Sequence, residues 1–364
     1  MEYRVLPRGG ERIGIIGMGS AVIGQRPQDE IIATVRAAVE KGVNLFDMAG
    51  GHATIFEAYG KALAGIRDKV YLQVHFGADY TSGEYGWTTE LEQIKRSVAW
   101  QLEKLQTDYI DFGFIHCIDE QNDLDTYITN GVLDYVLDLK KKGVIRHIGL
   151  SSHTPSIVNK ILDMGIVDVL MFSINPLYDC GKGDYGFGAN SERHELYCRC
   201  QRDGVAITVM KAYAGGQLLD AAQSPFKEAL TKVQCLQYAL DKPAVVSILP
   251  GCADIKELES TLEYFNASQE EKDYSIIGSL TPADSKGRCV YCKHCHPCPV
   301  GIDIGLVNKY YDLARLGDNL AAEHYLTLEK TAADCVECGH CDSRCPFNVE
   351  QSKRMKEIKE YFGK

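Results

Sequence analysis

No apolar run in the 364 residues approaches the roughly 18 that a membrane-spanning helix needs. The longest candidate, "GIIGMGSAVIG" at 14–24, has the length of a buried strand and its turn. The opening stretch "MEYRVLPRGG" lacks the apolar segment of a secretory signal, so a cytoplasmic protein is expected. Positive charge is also short: 39 Lys and Arg stand against 50 Asp and Glu, a net charge of −11. That balance weighs against nucleic acid as a partner, as the missing span weighs against a membrane. A third glycine is missing too. A G-x-G-x-x-G fingerprint beginning at Gly17 would need one at Val22, so the dinucleotide-binding turn of a doubly wound sheet is not completed.

Cysteine, by contrast, is plentiful, with fourteen in all. A cytosolic chain does not keep a disulfide framework, so metal binding is the better reading. Eight cysteines fall in the last 76 residues, in two runs: "CVYCKHCHPCP", with Cys289, Cys292, Cys295 and Cys298, and "CVECGHCDSRCP", with Cys335, Cys338, Cys341 and Cys345. The second is the ferredoxin run C-x2-C-x2-C-x3-C-P, and the first is one residue shorter before its last cysteine. In two-cluster ferredoxins the fourth thiolate of each run crosses to the other cluster. One [4Fe-4S] cluster is therefore assigned to Cys289, Cys292, Cys295 and Cys345, and a second to Cys335, Cys338, Cys341 and Cys298. Zinc on C-x2-C pairs is the alternative.

From residue 12 to about 264, short apolar runs alternate with amphipathic stretches of helical length, such as 88–105, where Leu91, Ile94, Val98 and Leu102 recur at spacings of three and four. Strands are expected at 14–17, 43–46, 70–74, 109–115, 145–150, 167–172, 205–209 and 245–248. Eight strand-helix units in series predict an α/β fold, a (β/α)8 TIM barrel over 1–266. A connection at 267–287 then leads to a small helical ferredoxin-like domain at 288–364. Barrel chemistry collects after the strands, which draws attention to Asp47, His52, His75, His116, Cys117, Ser151, Ser152 and His153.

The motifs "NLFDMA" (44–49), "LQTDYIDFGFIH" (105–116), "GVIRHIGLSSH" (143–153) and "ILPG" (248–251), followed by the two cysteine runs, make the chain similar to the aldo-keto reductase family, in its branch with a ferredoxin-like tail. That resemblance implies an oxidoreductase that reduces carbonyls with a nicotinamide, using an aspartate, a tyrosine, a lysine and a histidine. The aspartate falls on Asp47 and the histidine on His116, while His52 takes the tyrosine's position and His75 the lysine's. The pair that would hold the carboxamide of NAD(P)H becomes Ser151 and Ser152. Met171 replaces a glutamine beside it, and Glu257 stands where an arginine would meet a 2′-phosphate, which weighs against NADPH. The site then reads in three ways: a histidine relay oriented by Asp47, an additional divalent metal on the three histidines, or a degenerate site. The favoured expectation is an oxygen-sensitive iron-sulfur oxidoreductase of anaerobic metabolism acting on a small-molecule substrate. Its electrons pass through both clusters, with a ferredoxin or flavoprotein as redox partner. The alternatives are a nicotinamide-dependent carbonyl reductase with structural clusters and a non-catalytic electron-transfer protein.

Overall fold

The computed structural model describes residues 1–181, 183–280 and 287–364. It divides into two compact units, the first formed by Met1–Ile174, Val205–Ala212 and Val245–Asn266 and the second by Asn175–Gly204, Tyr213–Ala244 and Ala267–Lys364. Of the connection expected at 267–287, residues 281–286 lie outside the described residues, and the part before them contains two short helices, Gln269–Lys272 and Ile277–Leu280.

The first unit begins with an antiparallel hairpin of β1 (Tyr3–Val5) and β2 (Arg12–Gly14). Eight parallel strands follow: β3 (Met18–Gly19), β4 (Leu45–Asp47), β5 (Tyr71–Phe76), β8 (Ile110–Ile115), β9 (Ile145–Ser151), β10 (Val169–Ser173), β11 (Ala206–Met210) and β12 (Val245–Ile248). Bridges from Ile16 to Ile248 and from Gly19 to Gly251 close the sheet on itself. The TIM barrel predicted from the alternation is thus the observed fold. The first strand is displaced from 14–17, because Arg12–Gly14 pairs with Tyr3–Val5 and leaves β3 to enter the barrel. Between β5 and β8 a second hairpin, β6 (Ala78–Asp79) and β7 (Gly86–Trp87), interrupts the strand-helix alternation.

Leu45, Phe112, Phe114, Val169, Met171, Ala206 and Val246 form the barrel core. Glycines make room for its rings. A Cβ on Gly113 would meet the Phe76 ring at 2.6 Å, and one on Gly149 the Phe114 ring at 2.6 Å. The helix predicted over 88–105 runs from Leu91 to Leu105, burying Ile94 and Val98, and Gln106 ends it in a left-handed conformation.

The second unit has its own apolar centre. Helices Ile304–Arg315 and Asn319–Leu326 start on the capping carboxylates of Asp303 and Asp318, and a last helix spans Gln351–Phe362. Ile302, Ile304, Val307, Tyr325, Met355 and Ile358 pack with Cys295 and Cys341. The cysteines are therefore part of the core of this unit.

Candidate active site

Three buried side chains meet at the C-terminal ends of adjacent barrel strands: Asp47 at the last residue of β4, His75 in β5 and His116 just after β8. Asp47 Oδ1 lies 2.7 Å from His75 Nε2, and His75 Nδ1 lies 2.9 Å from His116 Nδ1. His116 Nε2 in turn lies 3.0 Å from the hydroxyl of Tyr85. Gln73 donates to Asp47 at 3.2 Å, and Phe114 stacks on His75 with centroids 5.1 Å apart. Burial, with His75 close by, pulls the pKa of His116 well below the usual histidine range, so this imidazole is neutral at pH 7.

A neutral His116 carries one ring proton, and the tautomer sets which nitrogen donates. One tautomer pair orders the whole chain: with His75 Nε2–H donating to the Asp47 carboxylate, Nδ1 is left as an acceptor. His116 Nδ1–H then fills that acceptor, and its free Nε2 accepts from the Tyr85 hydroxyl. In this tautomer pair all donors point one way, from an exposed phenol to a buried carboxylate. Tyr85 is 44% exposed and Asp47 only 3%.

Tyr85 did not figure among the expected site residues. It lies just before β7, and the hairpin is anchored by Tyr80, whose hydroxyl donates to Gly50 O at 2.9 Å, and by Thr88 N, which donates to Gly77 O at 2.9 Å. The alternation of Tyr85 and Trp87 about a glycine was the only sign of a strand there. His52 takes another place. Its segment pairs with the hairpin tip at Glu84, and no hydrogen bond joins it to the other three among the described residues.

A second polar group sits after β8, β9 and β11. Asp119 accepts from Ser152 Oγ at 3.0 Å and lies 2.8 Å from His153 Nδ1, while His153 Nε2 lies 3.2 Å from Lys211 Nζ. Burial would raise the Asp119 pKa, yet its bonds from His153 and Ser152 hold it down to about 2. Cys117 stands beside it in a left-handed conformation (φ 53°), its thiol pushed up to about 12 by burial and by Asp119. Among the described residues, Cys117, Asp119 and His153 are the one group of three possible ligands whose atoms lie within 4.8 Å of one another. The three histidines of the expected metal site do not converge in this way. Ser151 is buried beside this group, and Ser152, expected with it at a nicotinamide carboxamide, also accepts from Thr154 N at 3.2 Å. Met171 Sδ lies 3.9 Å from Gln73 Nε2.

In the second unit one cavity is lined by Cys295, Cys298, Cys335, Cys338 and Cys341. Burial raises the pKa of Cys292 to about 12, with Cys289 and Cys345 adding to it, and Cys295 is raised by burial and by the same two thiols together with Cys292. Cys345 thus lies near Cys292 and Cys295 of the first run, and Cys295 and Cys298 share a cavity with three cysteines of the second. A tetrahedral zinc would bring four sulfurs to about 3.8 Å from one another. No three of these sulfurs lie within even 4.8 Å of one another among the described residues. The donor set and its spacing suit larger clusters.

Residues 15–232 match the model of the aldo/keto reductase family, and residues 285–349 match that of the 4Fe-4S dicluster domain. The chain belongs to the aldo/keto reductase family. It is an oxidoreductase by that membership, with an iron-sulfur domain after the barrel. It is 25% identical to the uncharacterized oxidoreductase YqkF of Bacillus subtilis (strain 168), over 78% of this chain and 98% of that protein. It is 27% identical to L-galactose dehydrogenase of Arabidopsis thaliana, over 72% and 87%. Among solved structures, aldo-keto reductase AKR11C1 from Bacillus halodurans in its holo form superposes with a TM-score of 0.62 at 22% identity, covering 78% of this chain and 97% of that one. An aldo/keto reductase from Klebsiella pneumoniae, in complex with NADP and acetate, superposes with a TM-score of 0.54 at 18% identity, covering 74% and 93%. These structural likenesses bear on the fold.

Proposed function

We propose that this family member is an iron-sulfur oxidoreductase of a small organic carbonyl or alcohol, with proton transfer along Tyr85, His116, His75 and Asp47. The observation that carries the reading is the unbroken run of contacts of 3.0, 2.9 and 2.7 Å from Tyr85 through His116 and His75 to Asp47. In oxidation the substrate hydroxyl passes its proton to the Tyr85 oxygen, while the C–H bond of the same carbon breaks, its two electrons leaving to the redox partner and its proton to solvent. The Tyr85 proton moves to His116 Nε2, that on His116 Nδ1 moves to His75 Nδ1, and that on His75 Nε2 moves to Asp47. In reduction each proton moves back by one bond, and a substrate oxygen receives the proton of Tyr85.

Two [4Fe-4S] clusters fit the cysteines, the first on Cys289, Cys292, Cys295 and Cys345 and the second on Cys335, Cys338, Cys341 and Cys298. When bound, the clusters supply or accept single electrons. A ferredoxin or flavoprotein is the matching class of partner.

A nicotinamide-dependent reductase is the second reading, favoured by the NADP in the Klebsiella pneumoniae relative. Against it stands the helix Ile255–Leu262. Its first turn is already capped by Asp254, which accepts from Glu257 N at 3.0 Å, while Glu257 accepts from Ala253 N at 2.8 Å. Asp254 is paired with Arg26 at 3.0 Å, so Glu257 is the carboxylate at that helix start that repels a phosphate.

The test is anaerobic purification followed by iron and sulfide analysis and turnover of a panel of small carbonyl compounds with reduced viologen. About eight iron and eight sulfide per chain with viologen-linked reduction is expected. A loaded protein that reduces carbonyls only by stereospecific hydride transfer from NADPH would establish the second reading instead.

A further inference from the structure

Lys242 lies within the second unit and is only 4% exposed. A buried ammonium is costly unless an anion or a set of hydrogen bonds compensates it. Two carboxylates are near enough to act on it electrostatically, Asp179 and Asp241, and both are engaged elsewhere. Asp179 accepts from Arg193 Nε at 2.8 Å, from the Tyr197 hydroxyl at 2.5 Å and from the Tyr238 hydroxyl at 2.8 Å. Asp241 accepts from the Tyr274 hydroxyl at 2.8 Å and from Gln237 Nε2 at 2.7 Å. The Lys242 ammonium lies 3.7 Å from the centroid of the Tyr238 ring and makes no hydrogen bond or ion pair among the described residues. It lines a small cavity with Cys289, Arg288 and Tyr238, and the other groups acting on it are the sulfurs of Cys292 and Cys289, which become anionic on ligating a cluster. Arg288, the remaining cation there, donates to Asn190 Oδ1 at 3.0 Å.

We propose that Lys242 is the buried counter-charge of the cluster held by Cys289, Cys292, Cys295 and Cys345, and that it raises the reduction potential of that cluster above the value it would have without the cation. A thiolate-ligated cubane is negative, and gaining one electron makes it more so. A fixed cation in a medium of low dielectric therefore stabilises the reduced state more than the oxidised one. Beside the second cluster, with the exposed ligand Cys338, the cation that acts on Cys335 is Lys356, which is 57% exposed and paired with Glu337 at 2.8 Å, so solvent screens it as it does not screen Lys242. Lys242 thus sets an order between the two clusters, and electrons entering at the exposed one run downhill to the buried one.

This inference rests on the cluster assignment, and the experiment separates the two. Iron and sulfide are counted first, since a wild-type protein without clusters refutes the assignment before Lys242 is at issue. A dithionite titration followed by electron paramagnetic resonance then resolves the two couples in wild type, Lys242→Met and Lys242→Arg. A Cys338→Ser variant identifies the couple of the second cluster. In Lys242→Met the couple of the first cluster should move to more negative potential while the other stays in place, and Lys242→Arg should remain near wild type. If Lys242→Met and Lys242→Gln fail to take up the first cluster while Lys242→Arg succeeds, charge pairing is again supported. Unchanged potentials in a fully loaded Lys242→Met, or a shift in the second couple alone, overturn the proposal.

Discussion

The phenol of Tyr85 is the exposed end of a chain whose other members are buried, so its loss can be read with little disturbance to the barrel. Tyr85→Phe should lower turnover about 10²- to 10⁴-fold, the usual range for a lost proton donor or acceptor, while circular dichroism and cluster content stay as in wild type. His52→Ala should have a far smaller effect, and the reverse order of the two variants would move the proton donor to His52. His116 gives a second readout. Its folded pKa lies below its unfolded one because burial disfavours the imidazolium, so the unfolded chain binds more protons once pH falls below about 6.5. The associated stability is complete above that pH and is lost as pH falls from it toward the folded pKa. His116→Gln should therefore lose less melting temperature than wild type between neutral and mildly acid pH, and parallel losses in the two would show that His116 does not carry the effect. Asp47, His75 and His116 were legible because each follows or ends an apolar strand. Tyr85 was not, since its hydroxyl reaches His116 only by way of a short hairpin that neither strand nor helix period announces.

Elements fail or succeed in sequence reading according to what competes for their backbone. The inner strands β8 to β12 were readable as apolar runs because both faces are covered. The first barrel strand was misplaced because β2 has an antiparallel partner in β1 that the apolar pattern does not reveal. At the cysteine runs spacing pointed to an iron-sulfur domain, in agreement with the dicluster match over 285–349. The crossed ligand sets lead to a test in which Cys345→Ser weakens the cluster held mainly by the first run and Cys298→Ser that held mainly by the second. Iron loss and resonance spectra distinguish this from uncrossed binding, in which each substitution would damage the cluster of its own run. At the start of the helix Ile255–Leu262, Glu257→Arg removes one repelling carboxylate and adds a phosphate partner. It should tighten NADPH binding relative to wild type, as followed by calorimetry, with a smaller change for NADH. Equal changes for both nucleotides would place the 2′-phosphate elsewhere.

At the scale of the whole molecule, the two units draw their stability from different sources. The barrel core is Leu, Val, Phe and Met side chains with no cluster cysteine among them. The core of the second unit counts Cys295 and Cys341 among its buried members, with Cys298 and Cys335 packed against it. Thiolates drawn together without metal leave that core incomplete, and cluster binding is then also folding energy. Removing iron by anaerobic chelation should lower the melting of the second unit and leave the barrel transition where it was. Calorimetry of the loaded and stripped protein should accordingly resolve two transitions, only one of which moves. Gly149→Ala supplies the opposite control, since its added Cβ meets the Phe114 ring at 2.6 Å inside the barrel and overpacking of this kind costs about 1–3 kcal/mol. That variant should shift the other transition alone. A single transition that moves with both treatments would mean that barrel and cluster domain unfold as one cooperative body, and that iron stabilises the barrel as much as the domain that binds it.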